Sequence, residues 1–198
     1  MNFHRFIKDK EGWASISQEE QFGNAYLQVL AAKVRTPSRP GGCSWTVVHR
    51  KGAVVIAPMT LSGDLLLIHQ ERVPVRETLW EFPAGQIDET ADHDETTIRD
   101  TALRELREET GWELAPGGEL LPLGHFFSSA GFTDEHAYLF LARPVLPGGN
   151  GAAPDENEAI LECRPFSLNA FRGMIAASEI RDANTLAVYA RLSAMGLC

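Results

Sequence analysis

Between Glu81 and Trp112 the chain reads EFPAGQIDETADHDETTIRDTALRELREETGW, and only the second half of this stretch repeats with a helical period. Ile98, Ala102, Leu106 and Thr110 recur every fourth residue, which predicts a helix over about Thr97–Thr110 with that stripe buried. Thr97 with Asp100 has the pattern of a capping box, and Gly111 suits a left-handed C-terminal cap. On either side the pattern changes. WTVVH, AVVIAPM and LLLIHQERV precede the helix, and LLPLGHFFSS and HAYLFLARPV follow it. These short runs of Val, Ile and Leu between turn signals read as buried or half-buried strands. LWEFPAG is a strand cut short by Pro83, which cannot donate to a ladder, and APGGE is read as a turn. Beyond AILEC, Ser167–Met195 carries one or two closing helices. Strands, helix, strands and helix in that order predict a mixed α/β fold, with helices on both faces of a central mixed sheet.

The end of the central helix poses an electrostatic problem. Glu105, Glu108 and Glu109 crowd its last two turns. Like charges at i, i+4 destabilise a helix by a few tenths of a kcal/mol, and anions at a C-terminus oppose the macrodipole. At 100° per residue Glu105 and Glu109 lie on one line beside the buried stripe, with Glu108 flanking them. Three carboxylates, with a nearby backbone carbonyl, make an oxygen-only site of the kind that Mg²⁺ or Mn²⁺ prefers over zinc. The same residues also read as a solvated acidic helix end, balanced by Arg104 and Arg107.

Charge and cysteine usage narrow the setting. A net charge of −9 argues against nucleic acid or an anionic membrane as the main partner, but not against a phosphorylated substrate whose charge a metal would offset. Cys43, Cys163 and Cys198 are odd in number and lack CxxC spacing, which fits a reducing cytoplasm better than a disulfide framework. No run approaches the length of an apolar membrane span, and MNFHRFIKDKEGW has no apolar signal core.

EFPAG followed by RELREETGW resembles the signature of the Nudix hydrolases, with Gly85, Arg104, Glu105, Leu106, Glu108, Glu109, Gly111 and Trp112 at matching positions. HQERVPV and the late DENEAI extend the likeness from about residue 45 onward and bring the chain near the ADP-ribose pyrophosphatase branch. There are departures. Gly85 and Arg104 enclose eighteen residues, more than the family pattern has, with the surplus in DETADHD. A glutamate that the family places ahead of the Arg falls on Thr96 here, with Glu95 beside it. Where the branch often carries Ser-Pro-Gly, this chain has SSAGFTDE, with Ala130 in place of the proline.

The resemblance implies a Nudix-type α/β/α sandwich, and Mg²⁺-dependent hydrolysis of ADP-ribose or a related nucleoside diphosphate sugar, with Mn²⁺ able to substitute. GDP-mannose, a dinucleoside polyphosphate, or a regulator that binds nucleotide sugars without catalysis are the alternatives. It implies Glu105, Glu108, Glu109 and the carbonyl of Ala84 as metal ligands, and Glu158, or else Glu156, as general base. An acidic loop is the plain reading of those last two. Arg104 and Glu108 are further candidates for the catalytic set. Arg72, Glu81, Gly85, Phe132 and Glu135 are candidates for substrate contact, Arg72 through its guanidinium fork and Phe132 by stacking. RTPSRPGG (Arg35–Gly42) reads as a turn or linker, and it separates an N-terminal arm, 1–40, from a hydrolase domain, 41–198. In the branch such arms exchange between subunits, so the resemblance implies a homodimer.

Overall fold

The computed structural model describes residues 9–87, 94–149, 151–154 and 158–198. They divide into two compact units. One comprises the described residues up to Gly52 together with Ile87 and 127–136, and the other comprises 53–86, 94–126 and the described residues from Ala137 on.

The first unit is built on a three-stranded antiparallel sheet, β1 (Ala14–Gly23), β2 (Leu27–Thr36) and β3 (Arg39–Arg50), in that spatial order. RTPSRPGG is the turn of the two readings that its prolines and glycines allow. Thr36 faces Arg39 across a tight hairpin turn, and the glycines that follow already belong to β3. Proline and glycine mark hairpin turns as readily as domain boundaries, and periodicity alone does not separate the two.

The second unit holds the site. Its sheet has the order β10 (Ile160–Phe166), β5 (Leu65–Arg72), β4 (Ala53–Thr60), β9 (His136–Pro147), β8 (Trp112–Phe127), with β6 (Glu77–Glu81) on β5 and β7 (Ala84–Gln86) on β4. β4 and β9 run parallel while β5 meets its neighbours antiparallel, so the sheet is mixed. β8 passes straight through APGGE, where a turn was expected. Both faces are covered, and the strands show it. Val55, Ala57, Leu65, Leu67, Leu139 and Leu141 pack with Phe171, Met174, Val188 and Leu192 of α2 (Leu168–Ala176) and α3 (Ala183–Ala194). The alternate residues Val54, Ile56, Leu66, Ile68, Phe140 and Ala142 are buried as well, on the face where α1 (Glu95–Thr110) lies against β4 and β7. Two-sided burial explains why these strands read as continuous apolar runs rather than alternating ones.

α1 buries Ile98, Ala102, Leu106 and Thr110, the expected stripe. Its start differs from expectation. Asp94 is the N-cap, its carboxylate accepting from the Thr97 amide at 2.7 Å, so the helix begins before Thr97 and Thr97–Asp100 is not a capping box. A carboxylate there also complements the positive end of the helix dipole, and the Thr97 and Thr96 amides hold the Asp94 pKa below its usual value. Gly111 is the left-handed cap, with φ of 72°. Residues 88–93, the part of DETADHD ahead of the Asp94 cap, lie outside the described residues.

A carboxylate cluster as the candidate active site

The short strand β7 fixes two of the helix glutamates. The Ala84 amide donates to Glu109 Oε2 at 2.8 Å. Gly85 lies directly beneath Glu105: a Cβ built there would sit 2.0 Å from Glu105 Cδ and 2.1 Å from Oε1. No side chain other than hydrogen leaves room for that carboxylate. Pro83 contributes by ending the β6 segment, and its carbonyl accepts from the Ile56 amide, which seats β7 against β4.

Arg104 is the third constraint. Its Nη2 donates to Glu105 Oε1 and its Nη1 to Glu108 Oε2, each at 2.7 Å. Glu108 is thus turned toward Arg104 and is part of the electrostatic frame. The third carboxylate of the cluster comes from elsewhere. One oxygen each from Glu105, Glu109 and Glu158 lies within 4.8 Å of the others. Glu158 reaches them because Ala159 is tied to β5, its carbonyl accepting from the Glu71 amide at 3.0 Å, just before β10 begins.

Burial makes this arrangement costly without a counter-charge. Glu105 and Glu109 are 5% and 1% exposed. Burial pushes the Glu109 pKa well above the usual carboxylate range; the charges of Glu158 and Glu105 push the same way, against the Ala84 amide and the more distant charge of Arg72. Three carboxylates in a largely buried setting, with no nitrogen or sulfur donor in the group, fit a hard divalent cation. Metal binding by one or two carboxylates that keeps several waters is the usual pattern for Mg²⁺.

Beside the cluster, Arg72 and Glu81, both candidates for substrate contact, pair with each other. Arg72 Nε lies 3.0 Å from both Glu81 oxygens and Nη2 lies 2.5 Å from Oε2. Burial would lower the Arg72 pKa, but the hydrogen bonds and charge of Glu81, with Asp182 and Glu109 behind it, raise it overall. Glu81 is itself buried, and that burial outweighs Arg72 and raises its pKa. Asp182 caps α3 by accepting from the amide and hydroxyl of Thr185, and the Thr185 hydroxyl in turn accepts from the Phe82 amide at 2.9 Å. α3 therefore holds the chain segment that leads into β7. Nothing in the sequence pattern pointed to Asp182 or Thr185.

Cys163 on β10 is also near enough to feel Glu109: burial, then that negative charge, pushes its thiol up to about 12, so it stays neutral. In the other unit, Phe132 is half exposed, and Glu135 is committed to Arg50 and to the Ser128 hydroxyl, the latter at 2.7 Å. Glu156 falls outside the described residues.

Comparison with known proteins agrees with this geometry. A family model of the NUDIX domain matches residues 48–188. An ADP-ribose pyrophosphatase of Bacillus subtilis is 29% identical over 86% of this chain and 87% of its own length. Another from Mycobacterium tuberculosis is 32% identical over 89% and 83%, and a methanol dehydrogenase activator of Bacillus methanolicus is 34% identical over 87% and 88%. A crystal structure of an ADP compounds hydrolase shares the fold, with a TM-score of 0.71 over 96% of both chains at 16% identity. The glutamates on α1, the glycine under Glu105 and a domain match over most of the length place this chain in the Nudix family.

Proposed function

We propose that this Nudix hydrolase cleaves the diphosphate bond of ADP-ribose, or of a closely related nucleoside diphosphate sugar, with Mg²⁺ as the physiological ion and Mn²⁺ as a substitute. The observation that carries the reading is the convergence of Glu105, Glu109 and Glu158 beside the Arg72–Glu81 pair. Glu105, Glu109 and Glu158 hold the cation, with the Ala84 carbonyl as a further oxygen. When bound, such an ion neutralises the diphosphate oxygens and makes bound water a better nucleophile.

The chain's own groups do the rest. Arg104 keeps Glu105 oriented and engages one oxygen of Glu108, so Glu108 serves the site's electrostatics through Arg104 rather than through ligation. Arg72 commits Nε and Nη2 to Glu81, which leaves Nη1 for a phosphate oxygen. Glu158 accepts the proton that water sheds as its oxygen bonds to phosphorus; the bridging oxygen then leaves with one phosphate, giving AMP and ribose 5-phosphate from ADP-ribose.

The homodimer finds support in the N-terminal sheet, which exposes Ile16, Phe22 and Trp45, with Trp13 exposed just ahead of it, an unusual concentration of large apolar side chains for a free surface. We assign the protein to the cytoplasm, since Cys43, Cys163 and Cys198 are all free thiols. No helix among the described residues is long and apolar enough to cross a membrane.

The test is product release from ADP-ribose, GDP-mannose, UDP-glucose, NADH and Ap4A in Mg²⁺, with products identified by chromatography. ADP-ribose leading in kcat/KM supports the assignment. Another substrate leading removes the ADP-ribose specificity, a real alternative given Ala130. No turnover with either metal favours a binding role instead.

A further inference from the structure

The hairpin between β5 and β6 carries a second arginine that the reaction outlined above does not use. Arg72, Arg76, Glu71, Val73, Glu77 and Thr78 line an open pocket of about 350 Å³. That is at the small end of ligand sites, enough for a sugar phosphate but not for a whole dinucleotide. The pocket adjoins the carboxylate cluster through Arg72, whose charge is felt at Glu109.

Arg76 is held there at a cost. Its φ is 57°, in the left-handed region that only glycine enters freely, and its amide is fixed by the carbonyls of Arg72 at 2.9 Å and Val73 at 3.2 Å. A strained non-glycine residue beside a site is a reason to look for a role. Its guanidinium makes no ion pair and no hydrogen bond among the described residues. The neighbouring charges are otherwise engaged: Arg72 with Glu81, and Glu77 with Arg181. Glu71 and Thr78 supply the remaining polar groups of the lining. The pocket therefore offers Arg72 Nη1, the polar groups of Glu71 and Thr78, and the Arg76 guanidinium in its lining.

We propose that this pocket takes the sugar on the far side of the scissile diphosphate, and that Arg76 is a specificity-determining residue for an anionic substituent, such as a second phosphate, on that sugar. The inference rests on the carboxylate cluster being the hydrolytic centre. The bond broken is unchanged: water adds to a diphosphate phosphorus, and the leaving sugar phosphate keeps its extra phosphate, so ADP-ribose 1″-phosphate would give AMP and ribose 1,5-bisphosphate.

Two measurements on wild type and Arg76→Asn test it; asparagine tolerates the positive φ while removing the charge. The first is the ratio of kcat/KM for ADP-ribose 1″-phosphate to that for ADP-ribose. The second is calorimetric binding of ribose 1,5-bisphosphate against ribose 5-phosphate. Arg76→Asn is expected to lower both ratios about tenfold, through KM in the first, as loss of one charge-assisted contact requires, and Arg76→Lys to restore part of each. If the binding ratio is the same in wild type and Arg76→Asn, the proposal is overturned. If wild type hydrolyses neither compound but binds the bisphosphate through Arg76, the pocket stands and the ADP-ribose reading fails.

Discussion

The carboxylate of Glu105 rests on the Cα of Gly85, so close that a methyl group at position 85 would lie 2.0 Å from Glu105 Cδ. The contact links a three-residue strand to the face of α1 that carries Glu105 and Glu109, and leaves Glu105 one place to be. Arg104 holds it there from the other side, at 2.7 Å. Gly85→Ala must displace the Glu105 side chain or β7. We expect a fall in kcat/KM of at least a hundredfold, with far-UV circular dichroism unchanged. Near-wild-type activity in this variant would show that Glu105 need not stand where the structure places it.

Glu109 gives a pH signature. Its folded pKa is raised above 4.5, first by burial and then by Glu158 and Glu105. A carboxylate with a raised folded pKa contributes stability that is complete below the unfolded value and lost as pH rises through the folded one. The metal-free protein should therefore lose stability as pH rises above about 4.5, and a divalent cation should restore it. The rise in Tm on adding Mg²⁺ will grow with pH across that window and shrink in Glu109→Gln. A pH-independent rise, equal in both proteins, would contradict the assignment.

Gly111 ends α1 with φ of 72°, and a Cβ there would also meet the Ala152 amide nitrogen at 2.6 Å. The segment after β9 is fastened to this helix end: the Gly148 amide donates to Gly111 O and the Ala153 amide to Glu108 O, each at 2.8 Å. Gly111→Ala adds left-handed strain of roughly 1–2 kcal/mol and a backbone collision besides. Urea unfolding should show a loss at the upper end of that range or beyond. A loss below about 0.5 kcal/mol would mean that neither the strain nor the collision exists.

Thr185 joins α3 to the strand that leads into the site, its fully buried hydroxyl accepting from the Phe82 amide and donating to Asp182. Thr185→Val keeps the shape but strands a buried donor, at a cost of about 1–3 kcal/mol. Thermal unfolding should register the loss. Activity should fall as well, because Phe82 precedes the Pro83–Gly85 seat of Glu105. A stable variant of full activity would separate α3 from the site.

Much of this could be read from the chain, for physical reasons that differ by element. The α1 stripe was legible because a helix against a sheet must bury every third or fourth residue, and Ile98 to Thr110 do so. The helix start was not: Thr97 and Asp100 fit a capping box as well as Asp94 fits an N-cap, and geometry decided for Asp94. The three-stranded sheet was half visible, since RTPSRPGG marks a turn but not which strands it joins. Among the site residues, Glu105 and Glu109 come together as their i, i+4 spacing requires. Glu108, four residues from Arg104, finds its partner on its own helix. The meeting of Glu158 with that pair and the reach of Thr185 to Phe82 join residues far apart in sequence, and the bond between Arg72 and Glu81 depends on how the β5–β6 hairpin folds back, none of which a local pattern encodes.

Glu105, Glu109 and Glu158 are the proposed cation ligands, and Glu108 is not one of them. Calorimetric titration of Mn²⁺ into Glu105→Gln, Glu109→Gln, Glu158→Gln and Glu108→Gln, alongside Mg²⁺-supported ADP-ribose hydrolysis by each, tests this assignment most directly. We predict that the first three lose metal affinity tenfold or more together with activity, while Glu108→Gln keeps most of its affinity. Full affinity in Glu158→Gln, with loss in Glu108→Gln, would contradict the cluster described here.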